Sequence, residues 1–296
     1  MPNGNSPTGS AGGSTAAEAT GAAAARSPAR ALSGLLATVS GNLFLLFGTL
    51  VLAVCTVATG WIPLPRGGRL FFFWARFWSR LLLLFSGVRV RAEHLAPLPR
   101  DKTYVFLSNH QSLFDIPVLL ATLPLPARFL AKRELFRIPV FGWAIRIGGF
   151  IPVERGGKSA GESFRAAAER LRHGGSVLLF PEETRSTDGQ LLPFKRGGFL
   201  LAQKAGLPMV PVGIRGTRQA RAPKSFRIQP GRVLVRYGAP LDPVGGGRGG
   251  TAAAAATVRA RIAELAEVEL EPATDAASAP AGAASGAAGP ETSGGR

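Results

Sequence analysis

Hydrophobic and polar positions follow three different rhythms along this chain. Residues 31–65 contain no charged side chain. Their apolar core, residues 35–60, exceeds the about 20 residues that a helix needs to cross a hydrocarbon layer. Arg26 and Arg30 precede it like the basic start of a secretory signal, but the apolar part of such signals runs only about 7–15 residues. Length favours a membrane anchor. Gly60-Trp61-Ile62-Pro63 breaks this helix, and residues 69–88 predict a second one of another kind. There Arg69, Arg76 and Arg80 fall within about 40° of one another on a helical wheel, among Phe, Trp and Leu. The pattern suits a helix in the headgroup layer with its arginines toward lipid phosphates; a second spanning helix is the alternative.

From Val88 onward the rhythm shortens. Apolar runs at residues 104–107, 128–131, 149–153, 177–180 and 209–214 have strand character. Between them, residues 159–172 place Phe164, Ala167, Ala168 and Leu171 at helical spacing, and Gly174-Gly175 ends that pattern. Alternating strands and helices predict an α/β domain with a mostly parallel central sheet flanked by helices, preceded by the membrane-binding helical segment. Residues 225–228 and 232–237 are expected as edge strands, and residues 251–270 as a final Ala-rich helix.

Ligands of such sheets gather beyond the carboxyl ends of the strands, and the polar clusters of this sequence fall there. Asn109-His110 follows the run 104–107, Glu154-Arg155 follows 149–153, and Glu182-Glu183-Thr184-Arg185 follows 177–180. Asp115 lies five residues after His110, a spacing that a continuous helix would splay by about 140°. The two meet only if His110 sits in a loop ahead of a helix that carries Asp115, and Pro117 suits the first turn of such a helix. A carboxylate accepting the Nδ1 proton leaves Nε2 as a general base. A lone His–Asp pair is more often a satisfied loop histidine, so the pair by itself does not decide. Neither other histidine has an evident acidic partner: His94 falls in a polar connector and His173 at a helix end.

Other chemistries fit less well. Ser112 lacks the flanking glycines of a nucleophile elbow. Gly156-Gly157-Lys158-Ser159 lacks the earlier glycine of a phosphate loop, since that position is Pro152. No second His or Cys is placed to complete a metal site. The formal net charge of +17 favours polyanionic partners. The densest aromatic stretch, residues 71–78, adjoins the most apolar part of the chain, which turns that charge toward membrane lipids and away from nucleic acid. Cys55 is the single cysteine, so no intrachain disulfide forms. Residues 1–30 and 272–296 are rich in Gly, Ala, Ser and Thr and are expected to be disordered tails. Between them lie the anchor (31–87), a catalytic domain (88–245) and a C-terminal helix (246–271).

Asn109-His110-x4-Asp115 resembles the signature of the glycerolipid acyltransferase family. Lys132-Arg133-Glu134-Leu135 with Pro139 and Gly142 resembles that family's next block. Gly149-Phe150-Ile151-x3-Arg155 resembles its second motif, Phe180-Pro181-Glu182-Glu183-Thr184-Arg185-Ser186 its third, and Val210-Pro211-Val212 its fourth. They occur in the family's order across more than half the chain. The resemblance implies that His110 deprotonates an acceptor hydroxyl, which attacks an acyl thioester directly, while Asp115 orients the imidazole. It implies that Arg155 and Arg185 bind the acceptor's phosphate, with Asn109, Lys132, Glu182, Thr184, Lys195 and Gly197 shaping the substrate site. Arginine suits the phosphate role through bidentate, charge-assisted contacts.

The implied reaction acylates lysophosphatidic acid to phosphatidic acid at the cell membrane, with the catalytic domain facing the cytoplasm, as the arginines after the apolar segment suggest. The donor is acyl-CoA or acyl carrier protein, and no cofactor or metal is expected. Glu183 departs from the pattern, because the family commonly has Gly there. A carboxylate facing inward would repel a phosphate dianion, which keeps another lysolipid, such as a lyso-aminolipid, open as acceptor. A non-catalytic basic membrane-binding protein is the remote alternative.

Overall fold

The computed structural model describes residues 28–60, 69–154, 160–172, 174–243 and 248–269. The expectations for residues 1–27 and 272–296 of the tails, for the break at residues 61–63, for Arg155 and for His173 lie outside them, whereas residues 28–30, expected in the tail, already belong to a helix. Seven strands form one sheet in the order β1-β7-β6-β2-β5-β3-β4. They are β1 (Val88–His94), β2 (Val105–Ser108), β3 (Ala127–Lys132), β4 (Ile151–Val153), β5 (Ser176–Leu179), β6 (Met209–Arg215) and β7 (Gly231–Tyr237). All neighbours pair in parallel except β6 and β7, so the α/β sheet is mostly parallel, as the alternation predicts.

Every residue of β2 and β5 is buried, the run-like burial of a strand covered on both faces. The period of two then sorts side chains to opposite layers. Phe106 and Leu178 join one core with α3 (Arg69–Phe85) and α4 (Asp115–Thr122), whereas Val105, Leu107, Val177 and Leu179 join another. That second core is closed by α6 (Ala160–Arg172), α7 (Gly197–Ala205) and α9 (Arg248–Ala266). In α6, Phe164, Ala167, Ala168 and Leu171 are buried, on the face that their spacing predicts.

Two strand expectations change. Residues 225–228 form no strand. Their backbone is taken by the N-terminal helix instead: Thr38 Oγ1 donates to Ile228 O and accepts from Ile228 N, and Asn42 Nδ2 donates to Phe226 O. β7 is not an edge strand but lies between β1 and β6. The edge on this side is β1, where His94 sits in the strand rather than in a connector and stacks on Tyr237 at 4.8 Å between ring centroids.

Helical residues run without a gap from Pro28 to Gly60, long and apolar enough to cross a membrane. They comprise α1 (Pro28–Leu43), a π-helical turn (Phe44–Gly48) and α2 (Thr49–Gly60). Small residues face the domain: Gly34, Ala37, Gly41, Ala53 and Thr56 are buried, while Leu35, Leu36, Val39, Phe47 and Val51 are exposed. A Cβ on Gly41 would meet Ile228 and Ser86 at 2.7 Å, and one on Gly60 would meet Ile147 at 2.8 Å. The helix thus touches the domain from Gly34 to Gly60, about 39 Å at 1.5 Å per residue. It lies along the domain instead of leaving it.

One arginine of α3, Arg76, is engaged within the protein. Its guanidinium donates to Leu120 O and Leu123 O, at 3.4 and 2.7 Å, which satisfies carbonyls at the C-terminal end of α4. Arg80 on the same helix is exposed.

Candidate active site

Residues 109–114 leave β2 between the central strands β5 and β6 and enter α4 at Asp115. His110 Nδ1 lies 2.8 Å from Asp115 Oδ2. The same oxygen accepts the backbone N–H groups of Gln111 at 2.7 Å and Ser112 at 2.8 Å. The loop is therefore wound around one carboxylate oxygen, and Pro117 stands in the first turn of α4, where its missing N–H removes no helical bond. Asp115 is 0% exposed. Its Oδ1 is buried with no hydrogen-bond partner among the described residues, so all the bonding falls on Oδ2.

A carboxylate only accepts, so Nδ1 carries the proton and the neutral ring keeps its lone pair on Nε2. The imidazole stacks on Phe180 at 3.9 Å and 16°. At 8% exposure it is held but still reachable.

Glu182 is the second buried carboxylate. Its Oε1 accepts the His110 N–H at 2.7 Å and its Oε2 the Leu192 N–H at 3.1 Å. Burial pushes its pKa up to about 7, against the pull of those two N–H groups, and the charge of Asp115 pushes the same way. Ser186 N donates to His110 O at 2.9 Å and Gln111 Nε2 to Gly189 O at 3.1 Å. The loops after β2 and β5 are thus stitched together around the histidine.

Of the residues expected to shape the substrate site, three act on the protein's own backbone and packing. Asn109 is buried, and its amide exchanges two hydrogen bonds with the backbone of Ile214, at 2.9 and 2.8 Å. It extends the β2–β6 ladder by one side chain, using both ends of its amide. Gly197 opens α7, and a Cβ there would meet the Phe164 ring at 2.5 Å; it lets α6 and α7 approach. Glu182 likewise acts on the loop backbone, so it builds the site from behind.

Thr184, Arg185, Lys132 and Lys195 are exposed. Thr184 and Arg185 lie in the loop that follows β5. Lys132 ends β3, two strands from β2, or about 10 Å across the sheet, and pairs with Glu134 at 3.3 Å. Lys195 lines a shallow pocket with Glu183 and Gly198, and its N–H donates to Pro181 O. Glu183 has φ 56°, in the left-handed region, a backbone state that favours the glycine the family commonly has there.

Three features were given no role by the sequence. Phe180, the first residue of the third motif, flanks the base. Arg221 follows α8 (Thr217–Ala220), gives its carbonyl to Ser112 Oγ at 2.6 Å and has a buried Nη1 with no partner among the described residues. Burial, and then the charge of Arg185, hold its pKa below the usual guanidinium value. The third is an apolar cavity of about 190 Å³ behind the His–Asp loop. Leu113, Phe114 and Pro117 form its wall toward the base, and Ala53 of α2, Ala75 of α3 and Ile145 of α5 (Phe141–Ile147) complete it.

A buried His–Asp pair at the carboxyl edge of a mostly parallel sheet, backed by an apolar cavity, has the geometry for acid–base chemistry beside an apolar chain. Residues 89–215 match the family model described as Acyltransferase. It is 39% identical over 147 residues to the chloroplastic 1-acyl-sn-glycerol-3-phosphate acyltransferase BAT2 of Brassica napus, covering 49% of this chain and 42% of that protein. It is 35% identical over 175 residues to the alpha 1-acyl-sn-glycerol-3-phosphate acyltransferase of Mus musculus, covering 56% and 61%. The chain thus spans about half the length of the curated relatives it matches. Among solved structures, the 1-acyl-sn-glycerophosphate acyltransferase PlsC of Thermotoga maritima superposes with a TM-score of 0.69 at 25% identity, over 82% of this chain and 100% of that one.

Proposed function

We propose that the protein moves a fatty acyl group from an acyl thioester to the sn-2 hydroxyl of lysophosphatidic acid, giving phosphatidic acid. The observation that carries this reading is the 2.8 Å bond from His110 Nδ1 to the buried Asp115, which leaves Nε2 to take a proton. In the step, the acceptor hydroxyl loses its proton to Nε2 as its oxygen bonds to the thioester carbonyl carbon. The C–S bond then breaks, and the proton passes from the imidazolium to the leaving thiolate. Asp115 stabilises the imidazolium formed on the way. The names of the relatives support the acceptor, and the exposed Arg185 and Lys132 suit its phosphate. The apolar cavity behind the loop suits an acyl chain.

The donor is acyl-CoA or acyl carrier protein, and the chemistry uses no metal or cofactor. The apolar helix from Pro28 to Gly60 holds the domain at the cell membrane, on the cytoplasmic side that the following arginines favour. The test supplies purified full-length protein with lysophosphatidic acid, glycerol 3-phosphate and a lyso-aminolipid in turn, using acyl-CoA and then acyl carrier protein as donor. Phosphatidic acid from wild type, lost in His110→Ala, is the expected result. A wild type that acylates none of the three sinks the enzymatic reading, and a preference for the lyso-aminolipid reassigns the acceptor.

A further inference from the structure

The outer edge of the sheet carries a second cationic feature. An open groove of about 710 Å³ runs beside β3 and β4, lined by Arg128, Arg133, Arg137 and Arg146. Three elements supply them: β3, the 3₁₀ turn Arg133–Arg137 and α5. Arg128 Nη1 bonds to Gly174 O at 3.3 Å, and Arg146 Nη2 to Phe136 O at 3.1 Å with its guanidinium over the Phe136 ring. Arg133 pairs with Glu154 at 2.9 Å, and the charge of Arg137 reaches Glu134. Among the described residues, two carboxylates against four arginines leave the groove positive.

Beside these arginines the surface turns apolar. Leu135, Ile138, Trp143 and Ile147 are all exposed, Trp143 by 56%. Ile147 packs against Gly60, the last residue of the apolar helix. Exposed Trp and Ile beside a cluster of arginines, next to the end of a long apolar helix, make the composition of a membrane–water interface. One side of α5 lines the apolar cavity, and its Arg146 lines the groove.

We propose that this groove binds the headgroups of anionic phospholipids and seats the sheet edge on the bilayer, separately from the His110 site. The inference rests on the membrane placement proposed above and not on acyl transfer. Arginine binds lipid phosphate by forked hydrogen bonds, and each basic side chain near an anionic surface strengthens partitioning about fivefold, from about 1 kcal/mol per residue.

The experiment titrates full-length protein in a nonionic detergent with short-chain phosphatidylglycerol, phosphatidylcholine, inorganic phosphate or acyl carrier protein, following heat. Wild type is expected to prefer phosphatidylglycerol to phosphatidylcholine. The double variant Arg137→Gln/Arg146→Gln is expected to lose about 25-fold in that preference alone. The Arg137→Lys/Arg146→Lys variant keeps most of the preference and guards against a folding defect. Equal phosphatidylglycerol binding by wild type and the Gln variant overturns the proposal. So does phosphatidylglycerol binding that inorganic phosphate competes away at equal concentration, or a Gln variant that loses only acyl carrier protein, which would make the groove a donor dock. Wild type that acylates lysophosphatidic acid yet shows no phosphatidylglycerol preference sinks this proposal while sparing the enzymatic one.

Discussion

The base and the cations of the candidate site are built by opposite means. His110, Asp115 and Glu182 are buried, and backbone N–H groups from residues 110–112 and 192 hold the two carboxylates in place. Arg185, Thr184, Lys132 and Lys195 stand in solvent at the same sheet edge. A general base has to keep one geometry, because proton transfer depends on it, and burial with full hydrogen bonding supplies that. A phosphate-binding cation can stay solvated until the ligand arrives, since desolvating it early would cost more than an exposed charge returns. The difference predicts that changes on the buried side damage turnover, and changes on the exposed side damage binding.

The largest effect belongs to the base. His110→Ala is expected to lower kcat by about 10³-fold with little change in fold, read by product formation and circular dichroism. Asp115→Asn separates charge from geometry. Because Oδ2 takes three donors and Oδ1 none, the amide oxygen takes the Oδ2 place and keeps the Nδ1–H tautomer. Only the negative charge is lost, so kcat falls less than in His110→Ala, by about 10²-fold. The amide nitrogen then becomes a buried unpaired donor and lowers stability by about 1–3 kcal/mol. If Asp115→Asn matched His110→Ala in kcat, the division between charge and geometry would be wrong.

Arg185 tests the other side. Arg185→Ala is expected to raise KM for lysophosphatidic acid by at least about tenfold, the scale of a hydrogen bond to a charged group, while kcat changes little. A kcat loss with KM unchanged would place Arg185 on the base side of the comparison.

Glu182 couples the buried half to pH. Its folded pKa is raised from 4.5 to about 7, so the folded state holds this proton more tightly than the unfolded chain. That contribution to stability is fully present below about pH 4.5 and is lost as pH rises through about 7, by up to about 3 kcal/mol. Thermal melts of wild type across pH 4.5–8 should show the decline, and Glu182→Gln should flatten it. A variant with the same slope as wild type would assign the dependence to another group.

The polar clusters were legible because each lies at the end of an apolar run, and the sheet rule turns three such ends into one edge. The His110–Asp115 contact followed from five-residue spacing plus Pro117, both local features. What escaped was tertiary in origin. Residues 225–228 have a strand's composition, but Thr38 and Asn42, nearly two hundred positions away, take their backbone groups. Arg76 shows a lipid-facing periodicity, yet carbonyls at the end of α4 lie within its reach. Asn109 reads as a ligand residue until β6 arrives beside it to take both ends of its amide.

Glu183 sits between the two halves, and the smallest effect is expected there. At φ 56° a side chain costs about 1 kcal/mol or more, most of which glycine would relieve and part of which its greater unfolded freedom would return. Glu183→Gly should therefore raise stability by about 0.5 kcal/mol, seen as a Tm rise of about 1–2 °C. The same change removes a carboxylate from the pocket that Lys195 lines. If Glu183 opposes the acceptor's phosphate, KM for lysophosphatidic acid should fall by no more than about fivefold, the scale of about 1 kcal/mol between charges in water. A rise in Tm with KM unmoved would show that this residue belongs to the fold of the loop alone. The acceptor's phosphate would then be recognised wholly by the exposed cations.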